Sequence, residues 1–264
     1  MFENSPFEPG TVQDIKHFCK VYTYPDGSQD IIAASRAIFK EPGWEERGGP
    51  APKPRKEREP QEEDEATAAR RLADNQLRSM RRARAKVRRL ALSNDFRWFV
   101  TLTLNQEKVD RMDGNAVVKK LNVWCSNMVQ RQGLKYILVP ERHKKGGIHF
   151  HGFFNDCVQA VDSGHVDKAG HKVYNLPDWD LGFTTAIELY GEYNKAVAYV
   201  CKYIGKQGEK PAGRWYYSGG GLREPRTDYV DISAQELVED FGGKAWSIEV
   251  PGALIAGVNG VHQL

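Results

Sequence analysis

In "GIHFHGFF", residues 147–154, two histidines flank a single phenylalanine. Side chains on a strand alternate between faces, so His149 and His151 project together and Phe150 points away. A paired imidazole face can hold a metal, take part in catalysis, or simply be the wet side of a sheet. Just upstream, the apolar run "LKYILVPE" is separated from this one by the polar turn "RHKKG". A hairpin centred near Lys145 sets Glu141 directly across from His149, and opposed residues share a face. Glu141, His149 and His151 would then converge as one carboxylate and two imidazoles, a set that suits Mg²⁺, Mn²⁺ or Zn²⁺. His143, in the turn, competes with Glu141 for the third position.

A second candidate lies in "YVCKYIGK", residues 199–206. On a helix, with about 100° between successive residues, Val197, Val200, Cys201 and Ile204 make an apolar stripe. Tyr199, Lys202, Tyr203 and Lys206 fall on the opposite side as a repeated Y-x-x-K. Tyrosines spaced i, i+4 usually pack into a core, but these are set away from the apolar stripe. A phenol, with a pKa of about 10, is a poor nucleophile until its phenolate is stabilised, which lysines and a metal can do.

These groups need a scaffold, and from residue 97 the pattern is regular. "RWFVTLTLN" reads as a strand, and "DGNAVVKKLNVWCSNMVQRQG" as a helix with Val117, Leu121, Trp124, Cys125 and Met128 at helical spacing, ended by Gly133. The two runs around "RHKKG" follow as strands. Residues 155–181 are a polar excursion, after which "GFTTAIEL" is a strand, "NKAVAYVCKYIGKQG" a helix and "RWYYSG" a short strand. This order predicts an α+β fold: an antiparallel sheet with helices on one face, ferredoxin-like or RRM-like.

The net charge of +3 conceals a basic block, because residues 70–89 hold nine Lys and Arg against Asp74 alone. The block is rich in helix formers, and Arg81, Arg82, Arg84 and Arg88 are its candidate phosphate contacts. "GGPAPKPRKEREPQEEDE" upstream reads as a flexible linker, and "CKVYTYPDGSQDIIAAS" before it as a hairpin turning at Pro25-Asp26-Gly27. The expected organisation is an N-terminal segment over 1–65, a basic helix over 66–96, a catalytic domain over 97–221 and a C-terminal extension over 222–264. In that extension "DISAQELVEDFGG" looks helical and "KAWSIEVPGALIAGV" strand-like. Four dispersed cysteines, without a C-x-x-C pair, point to reduced thiols rather than a zinc ribbon or a disulfide framework. No apolar stretch approaches the roughly 18 residues of a membrane helix and no signal-like N-terminus is present, so a cytoplasmic protein without a membrane partner is expected.

"FVTLTLN", "VPERHKKGGIHFHGFF" and "YVCKYIGK", in that order, resemble the three motifs of HUH endonucleases. Within them the resemblance is to rolling-circle replication initiators with two tyrosines, such as the gene A-type replication endonucleases of small single-stranded DNA phages and related plasmid proteins. It implies that His149, His151 and an acidic residue, here Glu141, hold Mg²⁺ or Mn²⁺. It implies Tyr199 and Tyr203 as the nucleophiles on a scissile phosphate, with Lys202 and Lys206 clamping phosphate or lowering a phenol pKa. The partners implied are single-stranded or supercoiled origin DNA, bound covalently, and a host helicase and polymerase in a bacterial cytoplasm. A single-strand transposase of the same superfamily shares this motif order. A non-catalytic RRM-like nucleic-acid-binding module is the reading outside enzymes.

Overall fold

The computed structural model describes residues 16–40, 64–189, 191, 193–206 and 208–262. In chain order these form β1 (Lys16–His17), β2 (Cys19–Thr23), β3 (Gln29–Ala34), β4 (Phe39–Lys40), α1 (Glu65–Leu92), β5 (Trp98–Leu104), α2 (Gly114–Gln132), β6 (Tyr136–Arg142) and β7 (Ile148–Phe154). They continue with β8 (Val161–Val166), β9 (Lys172–Asn175), β10 (Gly182–Glu188), α3 (Tyr193–Tyr203), β11 (Tyr217–Gly219), β12 (Arg226–Val230), α4 (Ala234–Phe241), β13 (Trp246–Val250) and β14 (Ala253–Val261). The chain divides after Glu62 and after Pro225, so that its two ends make one unit and the stretch between them another. The linker expected upstream of residue 65 falls largely on 41–63, outside the described residues. No helix among the described residues is long and apolar enough to cross a membrane.

The middle unit is built on an antiparallel sheet of order β11-β6-β7-β5-β10-β9-β8. Strict alternation in β5 explains how it is covered: Trp98, Val100, Leu102 and Leu104 are buried, while Phe99, Thr101 and Thr103 between them are only half-buried. The fully buried side packs with Phe150 and Phe154 of β7 against α2, whose Val117, Leu121, Trp124, Cys125 and Met128 are all buried. Each large side chain so buried contributes about 1.5–3 kcal/mol from apolar burial. On the opposite side, Ile137, Val139 and Phe153 meet Val197, Val200 and Ile204 of α3 and Val87 and Leu90 of α1.

The α+β class and the antiparallel sheet are therefore as expected, with helices on both faces rather than one. The basic helix is the reason: the apolar stripe of α1 needs cover, and it finds this beside α3 on the face that α2 leaves free. The polar excursion also contains an unforeseen hairpin, β8–β9, with a register shift between Asp162 and His165. Its strands are exposed or half-buried, so no apolar alternation announces them.

In the other unit the sheet order is β12-β2-β3-β14-β13, with β1 and β4 paired separately. β2 and β3 pair across the turn at Pro25-Asp26-Gly27. Cys19, Val21, Ile31 and Ala33 are buried with Ala256 and Val258 of β14 and with Ala234 and Leu237 of α4. Ser233 caps α4 through a reciprocal pair of hydrogen bonds with Glu236.

Candidate active site

Three rows of side chains cross the half-open face of the middle sheet. Pairing aligns Glu141, His149, Thr103 and Phe183 in the first row, on β6, β7, β5 and β10. Val139, His151, Thr101 and Thr185 make the second, and Ile137, Phe153, Phe99 and Ile187 the third. Helix α3 covers the third row and part of the second, leaving the first open.

Glu141 stands opposite His149, as counting across the turn predicts, because Gly146 supplies a left-handed residue (φ 89°) that lets the chain reverse there. Glu141 Oε2 lies 3.1 Å from His149 Nε2 and 3.0 Å from His151 Nε2. His143 sits outside this group: it is exposed, its ring 5.9 Å from that of His149, and its Nδ1 accepts a hydrogen bond from the Lys145 amide.

Burial and the neighbouring His149 push the His151 imidazole down to about 4, against the pull of Glu141. Burial also lowers His149, with Glu141 opposing and His143 adding to the effect. Both rings are thus neutral at pH 7, and their contacts with Glu141 are hydrogen bonds rather than ion pairs. Burial acts to raise the Glu141 carboxyl, but the Lys206 ammonium, 2.7 Å from Oε1, and the two imidazoles outweigh it and hold the group below the usual carboxylate range.

The donor set fits a divalent cation. One oxygen and two ring nitrogens lie within 4.8 Å of one another. Thr101 Oγ1 is 3.1 Å from His151 Nδ1, where it can accept the Nδ1 proton and leave the Nε2 lone pair free to ligate. Residue-type reasoning overlooked Thr101, yet alternation along "FVTLTLN" puts it on the histidine face, next to His151.

The tyrosines follow the same rows. Tyr199, 48% exposed, meets Phe99 edge-on at 5.8 Å. Tyr203 stacks on His151, with ring centroids 4.0 Å apart and an interplanar angle of 14°. Its hydroxyl donates to that of Tyr199 at 2.5 Å. Burial, the Tyr199 hydroxyl and Glu141 all push the Tyr203 phenol above its ordinary value. Helix α3 ends at Tyr203, and Gly205, at φ 75°, turns the chain so that Lys206 reaches back to Glu141. A side chain at Gly205 would put its Cβ 2.0 Å from Met80 Sδ of α1, so the same glycine permits the turn and the close approach of the helices. Lys202 is exposed, without a hydrogen bond or ion pair among the described residues.

In the basic helix, Arg81 and Arg82 are exposed, whereas Arg84 and Arg88 are half-buried. The Arg84 guanidinium donates twice to the Ile204 carbonyl, at 3.0 and 2.7 Å, and so secures the end of the tyrosine helix. Arg88 lies close enough to Cys201 to favour its thiolate against burial. A cavity of about 440 Å³ opens over Thr101, Thr103 and His149 and is walled by Arg111, His143 and Lys145. Neither Arg111 nor Lys145 has an acidic partner among the described residues.

No curated protein and no solved structure matches the chain. Residues 97–208, the span from β5 to just past the second Y-x-x-K, match the family model for replication-associated proteins of the ORF2 type, and this similarity supports a replication initiator of the Rep type.

Proposed function

We propose that residues 97–221 form a rolling-circle replication initiator that nicks and rejoins single-stranded DNA through tyrosine transesterification. The observation that carries this reading is the stacking of Tyr203 on His151, which sets two adjacent phenols beside a carboxylate–imidazole cluster. Mg²⁺ or Mn²⁺ held by Glu141, His149 and His151 would supply Lewis-acid polarisation of a scissile phosphate. Lys206 keeps Glu141 ionised, and Thr101 orients the His151 ring. A tyrosine Oη bonds to phosphorus while the P–O3′ bond breaks. The phenolic proton passes to solvent, the leaving 3′-oxygen gains one to become a free hydroxyl, and the 5′-phosphate stays esterified to the tyrosine. The bond count is unchanged, so the step reverses to ligation without nucleotide hydrolysis. With two hydroxyls this close, one can attack while the other holds DNA, and Lys202, free on the exposed side, is placed to meet a phosphate oxygen.

Incubation with a labelled pool of random single-stranded oligonucleotides and Mn²⁺, followed by denaturing electrophoresis, tests the reading. The expected product is a protein band carrying label, and sequencing the captured 5′ ends should return one common motif. Non-covalent retention alone would favour a binding module, and strand transfer between dissimilar ends a transposase.

Arg81 and Arg82 are the proposed phosphate contacts of the basic helix. Their joint replacement by alanine should flatten the log–log salt dependence of single-strand binding by about 1.4, at roughly 0.7 per lost contact. Arg84→Ala should instead act on the tyrosine helix, lowering adduct yield more than it alters the salt slope. An unchanged slope in the Arg81/Arg82 variant would reduce that surface to a solvated face.

A further inference from the structure

Phe183 is 72% exposed, the most exposed of the large apolar side chains in the sheet, and the proposed chemistry leaves it without a task. It closes the first row: β10 pairs with β5 so that Phe183 stands opposite Thr103, which in turn stands opposite His149. With strands about 4.8 Å apart, its ring is roughly 10 Å from the histidine, on the same face. Thr103, between them, floors the cavity whose wall carries Arg111 and Lys145. The arrangement is an apolar ring at one side, two cations without acidic partners at the other, and the candidate scissile position beside both.

We infer that this ledge receives an unpaired nucleotide of the DNA strand next to the scissile phosphate, its base stacked on Phe183 and its backbone phosphate drawn into the Arg111–Lys145 cavity. Every nucleobase presents a π-face and every linkage a negative charge, so such a ledge grips a single strand whatever its sequence. A paired duplex cannot offer that base face, so the ledge selects for melted DNA. The inference rests on the reading of the neighbouring site as a single-strand nickase, and it names what holds the strand there.

The test compares two 20-mers of equal charge, oligothymidylate and a wholly abasic backbone, by fluorescence anisotropy. It is made in the Tyr199→Phe/Tyr203→Phe background, so that binding is read without cleavage. Phe183→Ala should weaken oligothymidylate binding roughly 5- to 150-fold, the range of one base–aromatic stack, and leave the abasic strand unaffected. Phe183→Trp should preserve the preference for bases. Replacing Arg111 and Lys145 by alanine should weaken both strands alike. Unchanged oligothymidylate binding by Phe183→Ala, or equal loss on both strands, overturns the inference. Neither result depends on covalent capture, so failure of the nickase reading would be seen separately.

Discussion

Tyr199→Phe/Tyr203→Phe is expected to form no covalent adduct with single-stranded DNA, while each single variant retains measurable capture. Phenylalanine keeps the rings that pack on Phe99 and His151 and removes only the nucleophilic oxygen. Because the two hydroxyls are 2.5 Å apart, a small shift of the helix or the strand presents either one to the same phosphate. The single variants should nevertheless fail to complete a replication round, since termination requires a free nucleophile while its neighbour is esterified. Captured adduct measured on a denaturing gel, and circle formation measured on a cognate origin, read these two consequences independently. If one substitution abolishes every adduct and the other still closes circles normally, only one tyrosine acts and the alternating scheme fails.

His149→Ala, His151→Ala and Glu141→Ala should each lower nicking by about a hundredfold or more, as expected when several kcal/mol of transition-state stabilisation are lost. Chelation should have the same effect on the unaltered protein, and Mn²⁺ or Mg²⁺ should reverse it only where all three residues remain. Direct Mn²⁺ binding, followed by electron paramagnetic resonance, should weaken in parallel. Thr101→Val, which preserves shape and removes the oxygen beside His151 Nδ1, should cost about 10- to 100-fold in metal affinity or activity. Full nicking in excess EDTA would remove the metal from the scheme and leave the cluster a structural hydrogen-bond network.

Much of the site geometry is legible in the sequence because it is local. A five-residue turn fixes which residue opposes which, so Glu141 and His149 can be paired by counting, and helical periodicity separates Tyr199 and Tyr203 from the apolar stripe. Lys206 could be assigned to the polar side, but its reach to Glu141 depends on the left-handed Gly205, which ends the helix one turn early. What stayed hidden is long-range. Nothing in "GFTTAIEL" announces that Phe183 shares a row with His149, since that follows from the register of β10 on β5 and of β5 on β7. The attachment of Arg84 to the Ile204 carbonyl is equally non-local, for a run of arginines reads as charge until its partners are known. The β8–β9 hairpin escaped for a different reason: its polar residues leave no periodic trace.

The sheet that joins the two ends of the chain sets an order of assembly. β3 pairs with β14, Ala34 opposite Ile255, so the central seam of that sheet waits for almost the last residues to leave the ribosome. Until then β2 and β3 are an isolated two-stranded ribbon, marginal in water, with Val21 and Ile31 uncovered. The middle unit has every strand of its own sheet between residues 98 and 219 and is free to fold first. During synthesis the tyrosine-bearing unit can therefore mature while the flanking sheet is still incomplete. A chain interrupted after Pro225 keeps the candidate site and leaves that ribbon without β12 or β14, an apolar strand edge open to pairing with other chains.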